Sequence, residues 1–283
     1  MRKNIFDIVS ENVDMESEVD RIITISEDQK ILLKNSTEYH TLFDYVDRYC
    51  FRNWKYRGHF LDVDDFLYTL DYEQIEADAK YDVDSFMTLI EVVYNFWQLS
   101  YYDLCNEDCN LKCCRDYYHL KDIMDDILKQ YNHIAYIDKE NERVLVVEDK
   151  QEVTAVAEIL PDDLSLEVIR YNHNSLKGDV ETKKAILFKF GADLEPKRKM
   201  LKDIDKTLED QIFYMLNKLN IRHNNIQKGN KNYVEYVANM DSGTLESWYD
   251  ELYQMILLAY LMLDNVDRKS KIKELRDAIE NGK

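Results

Sequence analysis

Glycine and proline are nearly missing from this chain: 6 Gly and 2 Pro occur in 283 residues. Backbone that turns through positive φ needs glycine, and proline pre-sets many of the remaining bends. A sandwich or barrel turns about every 8–12 residues, and this chain lacks the residues to do so. Long helices joined by few short loops are the alternative. Apolar residues make up 45% of the chain, enough to bury a core and to exclude a disordered polymer. The expected fold class is therefore mainly α, a helical bundle architecture with one embedded β-hairpin.

The hairpin is read from HIAYID (133–138) and ERVLVVED (142–149), two short runs rich in β-branched and aromatic residues, separated by KEN. A hairpin alone is marginal, so it must pack on helices. The clearest helix of the first half places Phe86, Leu89, Ile90, Val93, Trp97, Tyr101 and Leu104 on one stripe. Asn35 stands three residues before Glu38 and reads as a helix start, while RIITIS (21–26) suits a short strand and the rest of residues 1–34 a helix or a loose arm. In the second half, QEVTAVAEIL precedes a break at Pro161 and DDLSLEVIRYNH follows it. Gly178 and Asp179 open a further helix, Gly191 is expected to close it, and Pro196 suits the first turn of the next. That next helix is expected to be long, with Leu201, Ile204, Leu208, Ile212, Met215 and Leu219 on one face. Two more are expected after it: one carrying Leu245, Trp248, Leu252, Ile256 and Leu263, the other a polar end, KSKIKELRDAIEN. Two domains are expected, an acidic helical region over 1–160 that contains the hairpin and a helical domain over 161–283.

Charge is uneven. The chain carries a net −19, and residues 1–150 hold 17 basic and 33 acidic side chains. Residues 168–232 invert the balance, with 14 basic and 8 acidic. A nucleic acid would be repelled by the first half and admitted only by the second segment. The bland alternative is that the basic segment docks on the acidic half of the same chain or of a copy. Residues 62–84 hold nine acids and one Lys, but their DVDD lacks the Gly and the final Glu of an EF-hand loop, so they read as a solvated face. Cys105, Cys109 and Cys113 are each four apart; on a helix the outer two would stand about 12 Å apart, too far for one ion, so buried or half-buried thiols are expected, the alternative being a run broken into a loop that binds metal with His119. No metal and no cofactor is expected, for no P-loop, dinucleotide fingerprint or zinc-protease motif occurs. The longest apolar stretch, MILLAYLML (255–263), is far short of the roughly 20 residues a membrane span needs. The opening residues turn polar too early for a signal peptide, so a cytoplasmic protein with reduced thiols is expected.

The stretch NKLNIRHNNIQKGNKNY (217–233) gathers the candidate site. Arg222 offers a fork of donors suited to phosphate, and His223 beside it is a side chain of the kind that can move a proton on an RNA 2′-hydroxyl. Asn220, Asn224 and Asn225 supply hydrogen bonds; Lys228 and Lys231 add positive potential. A second cluster, RYNHN, offers Arg170 and His173, which could meet the first within the fold or across a homodimer. The opposing reading is a hydrogen-bonded connection between two helices, pinned by the same Arg and Asn side chains.

A helix ending in N-x-x-N-I-R-H-N-N, then a polar loop and an apolar helix, resembles the C-terminal helical domains of HEPN and abortive-infection proteins of bacteria. The likeness covers residues 165–265. The family's ribonucleases space an Arg and a His so that both face one cleft. Here Arg222 and His223 are adjacent, about 100° apart on a helix, and no His follows Arg222 at the family spacing. The resemblance thus implies the architecture and a domain that binds RNA or a protein partner in defence or stress response. A metal-independent ribonuclease using Arg222, His223 and His173 is one alternative. An acidic inhibitor-like protein that holds a basic partner through its first half is the other.

Overall fold

The computed structural model describes residues 14–28, 31–32, 39–106, 115–138 and 142–281. The chain is mainly helical with one embedded hairpin, and its contacts divide it into two units between Glu148 and Asp149.

The N-terminal unit begins with α1 (Met15–Asp28). RIITIS lies inside this helix, so the strand option falls. Val19, Ile22 and Ser26 are buried at helical spacing, which a strand could not provide. A two-residue ladder pairs β1 (Ile31–Leu32) with β2 (Tyr39–His40). The helix start read at Asn35 lies outside the described residues. The described helix is α2 (Leu42–Tyr45), capped by the Thr41 hydroxyl, which accepts from Asp44 N at 3.1 Å. It continues as a π turn, Val46–Cys50, and a 3₁₀ turn, Phe51–Asn53. The acidic stretch becomes two short helices, α3 (Val63–Thr69) and α4 (Tyr72–Asp78), the first capped by Asp62.

The centre of this unit is α5 (Val83–Asn106). Phe86, Leu89, Ile90, Val93 and Trp97 are buried along it, and Tyr101 stacks on Trp97 with ring centroids 5.0 Å apart. The side chain of Leu104 lies outside the described residues, as do that of Cys105 and the rest of the cysteine run. Cys50 is buried, and burial, aided by Asp103, pushes its thiol up to about 12. So high a value leaves it without thiolate reactivity. After α6 (Arg115–Gln130) come β3 (His133–Asp138) and β4 (Arg143–Glu148), antiparallel with His133 opposite Glu148 and Asp138 opposite Arg143. The open edge of β4 is closed by side chains of α5. Asn95 both donates to Val144 O (2.9 Å) and accepts from Val144 N (2.8 Å), and Glu91 accepts from Val146 N (2.6 Å). Two side chains thus do what a third strand would do, satisfying backbone groups that otherwise invite edge pairing.

The C-terminal unit is all helix: α7 (Gln151–Ala157), α8 (Asp162–Tyr171), α9 (Val180–Leu194), α10 (Arg198–Ile204), α11 (Lys206–Lys218), α12 (Glu235–Ala238) and α13 (Ser242–Glu280). Four expectations are corrected here. Gly191 does not close α9, which runs on to Leu194. Its lack of a side chain serves contact, because a Cβ there would stand 3.0 Å from both Leu216 methyls and 3.4 Å from Arg222 Nε. Second, the single long helix expected after Pro196 is two. Asp205 leaves helical geometry and its carboxylate accepts from Thr207 N and Leu208 N, starting α11 afresh. Third, the two final helices are one 39-residue helix, since nothing after Gly243 breaks it. Fourth, its buried stripe keeps Leu252, Ile256 and Leu263 as expected but takes in Tyr249 and Tyr253 in place of Trp248. Tyr249, Leu252, Tyr253 and Ile256 face the core, while Trp248 stays 44% exposed. The tyrosines win because their hydroxyls find carbonyls inside: Tyr249 donates to Leu219 O (3.0 Å) and Tyr253 to Val168 O (2.8 Å).

Gly191→Ala tests the close packing. The added methyl must push back Leu216, which is fully buried, at a cost of about 1–3 kcal/mol, and alanine's better helix propensity offsets about 1 kcal/mol of it, so the expected net loss is up to about 2 kcal/mol. Urea unfolding of the full chain, followed by circular dichroism, reads it; a raised midpoint would show that Leu216 moves aside freely.

Candidate functional site in the C-terminal unit

The polar segment that follows α11 is a folded loop. Its first corner is Asn220, in the left-handed region at φ 60°, where asparagine is tolerated better than most side chains. Asn220 and Asn225 then hold each other. The Asn220 amide donates to Asn225 Oδ1 (3.0 Å), and the Asn225 amide donates to Asn220 Oδ1 (3.2 Å). Asn225 Nδ2 donates to Asn232 O (2.7 Å), and its own carbonyl accepts from Val234 N (2.8 Å). The side chain of Asn225 is fully buried by these contacts.

Arg222 points inward. Nη2 donates to the Gly191 carbonyl at 2.5 Å, Nη1 pairs with Glu195, and the guanidinium carbon lies 5.0 Å from the centroid of the Phe213 ring. Arg198 lies 4.2 Å from the same ring and pairs with the buried Glu209. Two guanidinium groups therefore clasp Phe213, and Arg222 staples the loop to the end of α9. Its two terminal nitrogens are committed to protein acceptors.

The remaining candidates are at the surface. His223, Asn224, Lys228 and Lys231 are exposed. Asn224 closes a turn with Gln227 through Nδ2 (2.9 Å) and Oδ1 (3.0 Å), and Gly229 supplies a φ of 91°. In the second cluster Arg170 lies 3.7 Å from Glu167, and His173 Nδ1 accepts from Ser175 N (3.2 Å), capping a 3₁₀ turn, Asn174–Leu176. Among the described residues no hydrogen bond or ion pair joins Arg170 or His173 to Arg222 or His223.

A different feature of the same unit is a groove between α11 and α13, with a volume of about 420 Å³. Tyr214 (64% exposed) and Trp248 (44% exposed) stand on its two sides, with Met215 and Met255 beside them. Asp210 and Glu251 complete the rim, both exposed and, among the described residues, neither paired with a cation. Helical spacing brings these together: Asp210 lies one turn before Tyr214 and Gln211 one turn before Met215 on α11, while Trp248, Glu251 and Met255 share one face of α13. Sequence reasoning missed the groove because Met215 and Trp248 were assigned to core stripes. The available signal was Tyr249, whose burial turns Trp248 outward.

Behind the groove, α13 is tied to α9 by an internal ion cluster. Lys183 Nζ lies 2.8 Å from both Asp250 and Glu246, Gly178 N donates to Glu246 at 2.8 Å, and Tyr171 OH donates to Asp250 at 3.0 Å. The Tyr171 and Tyr253 rings stack at 4.0 Å. Burial, with Asp250 next, pushes the Tyr171 hydroxyl far above its ordinary value, so it acts here only as a donor. No described helix is long and apolar enough to cross a membrane. Comparison with family models, with curated proteins and with solved structures found no match to this chain.

Proposed function

We propose that the C-terminal unit is a protein-recognition module that seats a basic segment of a partner in the Tyr214–Trp248 groove. The observation that carries this reading is the pairing of half-exposed aromatic rings with unpaired carboxylates at one site. Tyr and Trp are the side chains most often responsible for binding energy, and methionines adapt to the shape of what they receive. Lys or Arg side chains bind over such rings by cation–π attraction and pair with Asp210 and Glu251 at the rim.

RNA is the less favoured ligand for this groove, since phosphate would meet Asp210 and Glu251. What stays available to RNA is the loop surface of His223, Asn224, Lys228 and Lys231. Arg222 holds Gly191 and Glu195 instead, so a ribonuclease built on an Arg222–His223 pair would lack its phosphate clamp. The HEPN-like pattern of the segment supports a domain that binds without cutting and, through that resemblance, a setting in bacterial defence or stress response.

The test titrates the full-length protein with a synthetic Leu/Lys amphipathic peptide and, separately, with a single-stranded RNA oligonucleotide. Trp54 and Trp97 are buried, so a fluorescence change removed by Trp248→Phe reports on the groove. The expected result is peptide binding that weakens about tenfold or more in Tyr214→Ala and at high salt. RNA binding that depends on Lys228 and Lys231, with no response to the peptide, would transfer the function to the loop. Absence of both would remove the proposal.

A further inference from the structure

The last part of α13 carries a second surface, independent of the groove. Leu263 is the last buried residue of this helix, yet the helix continues to Glu280, about 25 Å further along its axis. Along that extension Ile272, Leu275 and Ile279 are 51%, 60% and 69% exposed. Their spacing of three and four is that of a coiled-coil seam, and Arg268, Asn265, Leu261 and Leu258 occupy its earlier positions at the same period, so the apolar line proper is Ile272, Leu275 and Ile279. A lone uncovered helix of this length is marginal in water, and three large aliphatic residues on one line add exposed apolar surface without internal cover.

The charges beside this seam are sorted. Along residues 265–281, Lys269, Lys271 and Arg276 occupy the positions that flank it, whereas all four acids, Asp267, Glu274, Asp277 and Glu280, lie on the outer face with Lys273. We propose that the seam binds an amphipathic helix of a partner protein whose own flanks carry Asp or Glu. A second copy of this chain fits poorly. Parallel pairing would set Arg268 against Arg268 and Lys271 against Arg276. Antiparallel pairing would set Lys269 against Lys269 and Lys271 against Lys271. An anionic membrane surface fits poorly too, because residues 265–281 carry five basic side chains against four acidic ones, too small an excess to draw the helix onto lipid headgroups. The acidic character of the whole chain does not cancel the local flanks. Ile272 lies about 13 Å along the axis from Leu263, beyond one screening length at physiological salt.

Two dye-labelled synthetic peptides of about three heptads test this, identical in their Leu/Ile seam, one with Glu and one with Lys at every flanking position. Because a Leu/Lys helix is also the probe of the groove, the comparison uses the full-length Tyr214→Ala protein, and fluorescence anisotropy should show the Glu peptide binding at least about tenfold tighter than the Lys peptide. Ile272→Asp with Leu275→Asp should abolish that binding, while Trp248→Phe should leave it intact. Should the aspartates also unwind the helix, the charge reversal Lys269→Glu, Lys271→Glu, Arg276→Glu keeps the seam, and it should switch the preference to the Lys peptide. Equal binding of both peptides, or binding of neither, overturns the proposal. So does a dimer of the free protein in sedimentation that the aspartates dissolve, or attachment to phosphatidylserine vesicles with no response to the peptides.

Discussion

Replacing Asn225 with alanine is expected to cost about 2–4 kcal/mol, among the largest effects of any polar substitution in the C-terminal unit. The side chain is fully buried and serves two backbone groups at once: its oxygen takes the Asn220 amide and its nitrogen serves the Asn232 carbonyl. Alanine would leave both inside the loop without partners, and each orphaned group costs about 1–3 kcal/mol. Asn225→Asp should be no better. It keeps the acceptor, loses the donor, and places a carboxylate where no cation reaches it. Denaturant unfolding of the full chain gives the stability. Amide hydrogen exchange over residues 219–234 gives the location, and protection should collapse there first. A stability change within about 0.5 kcal/mol, together with unaltered exchange, would mean that the loop is held by other contacts.

Lys183→Met should destabilise the same unit by about 2–4 kcal/mol at neutral pH. Breaking a buried ion pair ordinarily costs about 3–5 kcal/mol, but Asp250 is half exposed and water can take over part of its charge. Glu246 is the carboxylate that suffers. Burial works to raise its pKa, yet the hydrogen bond from Lys183 and the Gly178 amide prevail and hold it below the ordinary 4.5. A carboxyl depressed in the folded state contributes stability that is complete above its unfolded value and is lost as pH falls through the folded one. The gap between wild type and variant should therefore be widest near pH 7 and narrow below about pH 4. Thermal unfolding of both proteins across that range measures it. A gap that stays constant down to pH 3 would show that methionine is penalised for its packing and not for the missing charge.

These two substitutions also mark where the sequence was legible. The expected helix-linking role of the asparagine-rich segment is visible in residue types alone: Asn220 can adopt positive φ, and Asn side chains bond to nearby backbone. Which asparagine is buried is not visible. Asn224 and Asn225 are neighbours of one type, and the fold exposes the first and encloses the second because only the second lies beneath Asn232 and Val234. Arg222 shows the same limit. Its chemistry suits a phosphate or a carbonyl equally, and the end of α9 provides the carbonyl.

Local rules account for the helix-dominated class, the hairpin and the α5 stripe, because each depends on residues near one another in the chain. The shortage of Gly and Pro, the alternation at 133–148 and the period of Phe86 to Trp97 carry their meaning over a few turns. What lay beyond reach was every choice made between distant segments: Gly191 admitting Leu216, Tyr249 displacing Trp248 from the core, Asn95 and Glu91 closing the edge of β4. A buried face is defined by what covers it, and the covering residues lie tens of positions away. The groove between Tyr214 and Trp248 follows from that. It exists because two helices pack through other residues and leave these uncovered.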